Sequence, residues 1–472
     1  MAASLIFFMQ AGFAMLEAGI VHPKNSINIL FKNMIDASMA AMAFWLIGYG
    51  IAYGVDDGQG FIGTKEQFAI GLDKAGINNT NQGWEGWFFQ WAFAGAAATI
   101  VAGSVCERTK IEAYFVYSII LTAFIYPVVV HWGWGSGFLS AWGANTGPLF
   151  SKKAGESTGM IDFAGSGIVH MVGGVSGLMG AIVVGPRKGR FVNGEVVELF
   201  EGNKILQSLG TFILWFGWYG FNCGSTLMIS QDTGGLAGKV AVTTTIAAAA
   251  GAIVATFLSK MITGTYDISL GLNGVLAGLV SITANCSVVD PWHAIFIGAI
   301  GALFLFIGHY ALFKLKIDDP CDACVVHGLC GFWGLLASGI FCTDANVSYA
   351  AYPNTYTNAA GETVTNDACK SAEQFGVQIV GGLAIFVWTA GTAGLTFVVV
   401  NLVVGMRVSE EVEDMGLDVS EHGAPSATEV FGGKTGEPAA APNGAVPPSA
   451  GMVYAPPQTM AIDPPAAPMQ FA

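Results

Sequence analysis

Runs of charge-poor, apolar residues recur along this chain, each close to the roughly 20 residues that a helix needs to cross a hydrocarbon layer about 30 Å thick. Eleven are recognisable, over 4–22, 27–54, 84–105, 112–131, 161–185, 204–227, 237–259, 265–285, 292–313, 321–342 and 376–405. Only 11% of the 472 residues are charged and 53% are hydrophobic, a balance that excludes an ordinary soluble domain. The expected fold class is an all-α polytopic membrane protein with eleven transmembrane helices. The 64 glycines suit close helix packing, since small residues let backbones approach where lipid gives no hydrophobic drive between helices.

Lys and Arg favour the cytoplasmic side of a membrane. With the first helix running inward, thirteen of them fall inside, among them Lys24, Arg108, Arg187 and Arg407, and six fall outside. The N-terminus is therefore expected outside and the C-terminus in the cytoplasm. The N-x-S/T patterns at Asn78 and Asn346 fall in loops assigned outside, in keeping with this. The first run begins almost at Met1 with no basic leader, so it reads as a span and not as a removable signal. Cys342 and Cys369 flank one external loop and are a candidate pair, while the other six cysteines lie in or beside helices. The net charge of −14 collects in loops and in the tail from Ser409, and it points to no nucleic-acid partner. Ten of the seventeen prolines follow position 424, so 424–472 is expected to be a disordered, Pro/Ala-rich tail.

Two stretches repeat a spacing that such apolar surroundings do not favour. "IDFAGSGIVH" at 161–170 and "DDPCDACVVH" at 318–327 each place a histidine eight residues after an aspartate. Asp162 and Asp319 read as caps opening the fifth and tenth spans, with Pro320 at the first helical position. If those helices run in opposite directions, eight residues carry each histidine about 12 Å inward from opposite faces. His170 and His327 then reach a similar depth and can touch. Spans one to five and six to ten become two inverted five-helix repeats, with one C-terminal helix left over.

A lone histidine among apolar residues reads as a hydrogen-bonded core group, and His22, His131, His293, His309 and His422 are given that reading. Two in equivalent places read as a path or relay, because ionisable groups at membrane depth are costly. Cys321, Cys324, His327 and Cys330 look superficially like metal ligands. No second cysteine pair lies nearby and the spacing matches no usual zinc pattern, so no metal and no cofactor are expected. An intramembrane enzyme is the reading from another class, but a nucleophile motif and an H-E-x-x-H pair are both missing.

"MQAGFAMLEAGIVHPKNSINIL", "GMIDFAGSGIVHMVGG", "FGWYGFNCGS", "CSVVDPWHAI" and "DDPCDACVVHGLCG", in that order, resemble the ammonium transporter family, its eukaryotic plant-like branch more than its Rhesus-type branch. The resemblance covers 4 to about 423 and implies a homotrimer in the plasma membrane with one pore per subunit. It implies an outer cation-binding site at Trp134, Ser225 and Phe93, a gate of two stacked phenylalanines at Phe93 and Phe221, and a pore lined by His170 and His327. Asp162 would support the outer site from behind, or cap a helix only, and the same alternatives apply to Asp319. Trp132, Trp218, Tyr219 and Glu17 receive no role.

The chemistry implied is selective movement of ammonium or ammonia, with methylammonium as an analogue. A small cation in a desolvated mouth gains about 2 kcal/mol from a good aromatic face, and Ser225 adds a hydroxyl acceptor. A neutral ammonia molecule then passes an apolar pore far more cheaply than an ion. An ammonium sensor with the same fold and little flux is the alternative. "GMRVSEEVEDMGLDVSEHG" at 405–423 is similar to the family's cytoplasmic regulatory tail, with Ser420 where plant-type members carry a phosphorylatable threonine. The implied division is a transmembrane domain over 1–405, a regulatory tail over 406–423 and the Pro/Ala-rich segment beyond.

Overall fold

The computed structural model describes residues 1–425 apart from 57, 59, 66–67, 70–82, 142–158, 201, 231–232, 354, 358–361, 366–367 and 371. The Asn78 pattern and the tail beyond 425 thus lie outside the described residues. Its long helices are α1 (Ala2–Ile20), α2 (Pro23–Tyr53), α3 (Trp84–Val105), α4 (Ile111–Gly133), α5 (Ser166–Val184) and α6 (Lys204–Trp218). They continue with α7 (Thr233–Thr263), α8 (Ile268–Thr283), α9 (Pro291–Leu315), α10 (Cys324–Phe341) and α11 (Ala372–Val403). Among the described residues, nine of these are long and apolar enough to cross a membrane. Against the eleven spans expected, α6 and α8 stand at the predicted places but are shorter, at 15 and 16 residues. A π turn over Tyr219–Cys223 carries α6 on toward Ser225.

Inversion of the two halves is visible where equivalent helices meet. On α1 and α6 a Cβ added at Gly19 would lie 2.3 Å from Gln207 N, and one at Gly210 would lie 2.2 Å from Leu16 N. Numbers rise along one helix as they fall along the other, so the pair is antiparallel and in backbone contact. The same holds for α5 and α10, where a Cβ at Gly174 would lie 2.2 Å from Gly328 N and one at Gly331 would lie 2.4 Å from Ser166 O. Glycine is required at these crossings because backbone atoms cannot move aside for a methyl group. The outward faces of α7, α9 and α11 expose Phe257, Ile307, Val387 and Leu402, as suits contact with hydrocarbon.

The helices carrying the histidines begin later than the sequence suggests. The first turn of α5 is a π turn over Ser166–Met171, and that of α10 a π turn over Cys324–Leu329. Asp162 therefore stands four residues before its helix, and Pro320 lies in a turn instead of at the first helical position. The eight-residue steps are only partly helical, so the 12 Å inward rise does not apply. Asp162 still caps: its carboxylate accepts from the backbone N–H groups of Gly165, Gly167 and Ile168 at 3.1, 3.0 and 2.8 Å. Asp319 accepts from Cys324 N at 2.7 Å and from the Ser104 hydroxyl at 3.1 Å, which ties the start of α10 to α3.

Cys342, at the end of α10, is disulfide-bonded to Cys369 before α11. On the opposite side, the segment after α11 folds into two short helices, Glu410–Met415 and Leu417–His422. It docks on the turn into α2: Asp418 accepts from Ile27 N and Asn28 N at 3.0 and 2.8 Å, and Lys24 Nζ donates to Glu413 O at 2.7 Å.

Candidate transport site

The glycine crossing of α5 and α10 puts His170 and His327 face to face. Their Nδ1 atoms are 3.1 Å apart, both side chains are buried, and the ring planes are inclined by 22°. One Nδ1 must donate to the other, so a neutral pair holds one hydrogen between the rings. Neither Nε2 has a hydrogen-bond partner among the described residues.

A row of rings runs from this pair toward the start of α5. Phe221 lies 5.1 Å from His170 between centroids, Phe93 lies 4.4 Å from Phe221, and Trp134 lies 5.5 Å from Phe93. Phe93 and Phe221 are fully buried and meet at 65°, edge to face, in place of the stacking that the resemblance implied. That geometry sets the positive edge of one ring against the negative face of the other. On the far side Phe13 lies 6.2 Å from His327.

Trp134 is half-buried at the end of α4, and its indole N–H donates to the Asp162 carbonyl at 2.7 Å. Asp162 therefore fixes two elements at once, holding the first turn of α5 with its side chain and Trp134 with its backbone. Ser225 is half-buried after the π turn of α6, and its hydroxyl donates to Phe221 O at 2.8 Å. With its hydrogen engaged, Ser225 presents only lone pairs, the arrangement that a cation needs. The site residues expected from the sequence thus gather around one track, apart from Asp319, which sits at the base of α10, and Ser420, which is exposed in the tail.

Trp218, to which the sequence assigns no role, belongs to the track. Its ring stacks on His170 at 4.9 Å and 13°, and its N–H donates to Thr283 Oγ1 at 2.8 Å. The available signal was its position three residues before Phe221, which puts both on one helical face. The other histidines hold local structure: His131 lies 3.0 Å from Ala52 O, His293 caps α9, and His309 pairs with Asp322 at 2.9 Å.

Two inverted sets of apolar helices, crossed through glycines around a buried row of aromatic and imidazole rings, define a polytopic membrane protein with one narrow polar track. The chain belongs to the ammonium transporter family, whose profile it matches over residues 1–427. It is 40% identical over 423 residues to ammonium transporter Amt2 of Archaeoglobus fulgidus, covering 89% of this chain and 85% of that one. Ammonium transporter 1 member 3 of Solanum lycopersicum is 41% identical over 434 residues, covering 89% and 90%. Among solved structures, a sensor Amt protein superposes with a TM-score of 0.76 at 33% identity, over 89% of this chain and 96% of that one. Saccharomyces cerevisiae Mep2 shares the fold, with a TM-score of 0.72 at 24% identity over 87% and 86%. This is a family of transporters and not of enzymes.

Proposed function

We propose that the protein moves ammonium selectively across the plasma membrane, taking up the ion at Trp134, Phe93 and Ser225 and passing ammonia by His170 and His327. The observation that carries this reading is the Nδ1 pair at 3.1 Å behind a closed phenylalanine gate. A charge does not cross that gate cheaply, so the ion gives up a proton at its outer side. Ammonia then exchanges hydrogen bonds with the free nitrogens of the two rings, and the shared hydrogen gives the proton a separate route. Potassium cannot lose a proton and is excluded. Transport by this route is electrogenic when the proton follows.

The N-terminus is outside and the tail cytoplasmic. The Lys/Arg bias supports this, as does the disulfide between α10 and α11, which belongs on the oxidising side. The Asn346 pattern is on that side too, but its amide donates to Asp290 at 2.8 Å and is not free for a glycan without local rearrangement. Three copies form the working unit, with the exposed faces of the long helices as the surface available for assembly.

The test is simultaneous voltage clamp and labelled methylammonium influx in cells lacking ammonium uptake, comparing the protein with His170→Ala. Matching charge and influx, both lost in the variant, is the expected result. Influx without current would mean that the proton stays behind. The 33% identity to a sensor favours one other reading, a receptor of the same fold with little flux. Neither current nor influx from protein at the cell surface would establish that reading instead.

A further inference from the structure

We infer that Glu17 forms a second cation site on the inner side of the paired histidines, where ammonia that has passed His327 is held as ammonium before release. This rests on the transport reading above. Glu17 is on α1 and only 2% exposed, and it shares the walls of a narrow cavity with His327. Phe13, Leu16, Ile100 and Leu276 supply apolar surface around it. The free space is that of about one water molecule, the size of ammonium or ammonia. His327 and Glu17 thus line the same small space, and one ring nitrogen of His327 and one oxygen of Glu17 have no hydrogen-bond partner among the described residues.

The hydrogen bonds around Glu17 leave it short of positive charge. Its Oε2 accepts from the Asn33 amide at 2.6 Å, and Oε1 has no partner among the described residues. Asp36 is satisfied by the hydroxyls of Tyr114 and Ser118, at 2.6 and 3.0 Å. Lys32 donates to Thr109 O at 2.7 Å and makes no direct pair with either acid. Two buried carboxylates thus face one buried ammonium group. A carboxylate with no cation beside it is costly at this depth, so Glu17 holds a proton while the site is empty, and a group kept here for helix packing alone would be better served by an amide. A monovalent cation with hydrogens to donate removes the deficit.

The step balances. Ammonia leaving His327 takes a proton from the neutral Glu17 carboxyl group, whose O–H bond breaks as the new N–H bond forms. The product is an ammonium ion paired with a carboxylate. When the ion leaves for the cytoplasm, a proton returns to Glu17 by the separate route or from the cytoplasmic solution. The titratable groups around it are Lys32 and Asp36 from α2, Tyr114 and Tyr117 from α4, Cys321 from the turn before α10, and His327 itself.

The experiment uses the full chain reconstituted in proteoliposomes and measures labelled methylammonium uptake. Glu17→Gln keeps an oxygen for Asn33 and removes the charge and the proton. Uptake should fall at least tenfold with an unchanged melting temperature. Glu17→Asp should retain more uptake than Glu17→Gln. Asn33→Ala removes the hydrogen bond and leaves the carboxylate, and it should keep most of the uptake. Uptake by Glu17→Gln within twofold of the parent overturns the inference, as does equal loss in Glu17→Gln and Asn33→Ala. Should Glu17→Gln fail to reconstitute, Glu17→Asp decides: reduced uptake supports the site, and unchanged uptake removes it. An inactive parent protein would instead sink the transport reading.

Discussion

At the scale of single residues, the proposed outer site joins a π face to a lone pair. Trp134 is held in place by its own N–H bond to the Asp162 carbonyl, and so offers its face at no further ordering cost. Trp134→Leu keeps an apolar side chain and removes the face. At about 2 kcal/mol for a desolvated cation–π contact, the half-saturating ammonium concentration should rise roughly 30-fold with little change in maximal uptake. Concentration-dependent methylammonium uptake measures both, and an unchanged half-saturation would place the ion elsewhere. The track itself was only partly legible at this scale. His170, His327, Phe221 and Ser225 lie in the motifs that carry the family resemblance, which implies Phe93 and Trp134 beside them, but Trp218 reads as one more buried aromatic until its ring is seen against His170 at 4.9 Å.

At the scale of elements, Asp162 does the work of a cap from an unexpected distance. Three backbone N–H groups, from Gly165 just before α5 and from Gly167 and Ile168 in its first turn, end on its carboxylate, and that turn carries His170. Asp162→Ala orphans all three at roughly 1–3 kcal/mol for each unsatisfied buried group, and should abolish uptake while lowering the melting temperature. Asp162→Asn keeps an acceptor and removes the charge. If capping is the role, the asparagine variant retains most of its uptake. If negative charge behind the outer site matters, it folds but fails to transport, and the two outcomes are separated by measuring melting and uptake on the same preparation. The sequence suggested the cap but misplaced the helix start, because a period-based reading does not foresee a non-helical turn ahead of a π turn.

At the scale of the whole molecule, the side that carries the tail is laced by ion pairs between distant parts of the chain. Asp318, in the loop between α9 and α10, is opposed by burial, which raises its pKa. The Arg187 guanidinium, bonded to it at 2.8 and 3.0 Å, and the nearby Arg108 outweigh this and hold its carboxyl well below the usual carboxylate range. A lowered folded-state pKa gives stability that is present above the unfolded value, near 4, and is lost as pH falls through the folded value. The melting-temperature gap between the parent and Asp318→Asn should therefore stay constant from about pH 8 to pH 5 and close only in stronger acid. A gap that closes near pH 6 would assign the stability to another group. The tail joins the same side, with Asp418 capping α2. Ser420 is exposed beside it, and a phosphate there adds about −1.5 to −2 charges next to Glu421 and Asp418. Ser420→Asp should lower uptake and Ser420→Ala should not, and equal uptake by both would remove the tail switch.

The sequence by itself determined the class of protein, the approximate places of the apolar runs, their inverted halves and the repeated aspartate-to-histidine spacing that marks His170 and His327. Each is written in local quantities: the length of an apolar run, the spacing of an aspartate and a histidine, the order of motifs. Only the tertiary structure decided how those parts meet. The 3.1 Å approach of the histidines depends on Gly174 meeting Gly328 and Gly331 meeting Ser166, residues about 150 positions apart whose contact no local period encodes. The edge-to-face gate, the docking of the tail on the turn into α2, and the union of Glu17 with His327 in one cavity follow from the same cause. Lipid drives no particular helix into contact with another, so which surfaces meet is settled by close packing summed over the whole bundle.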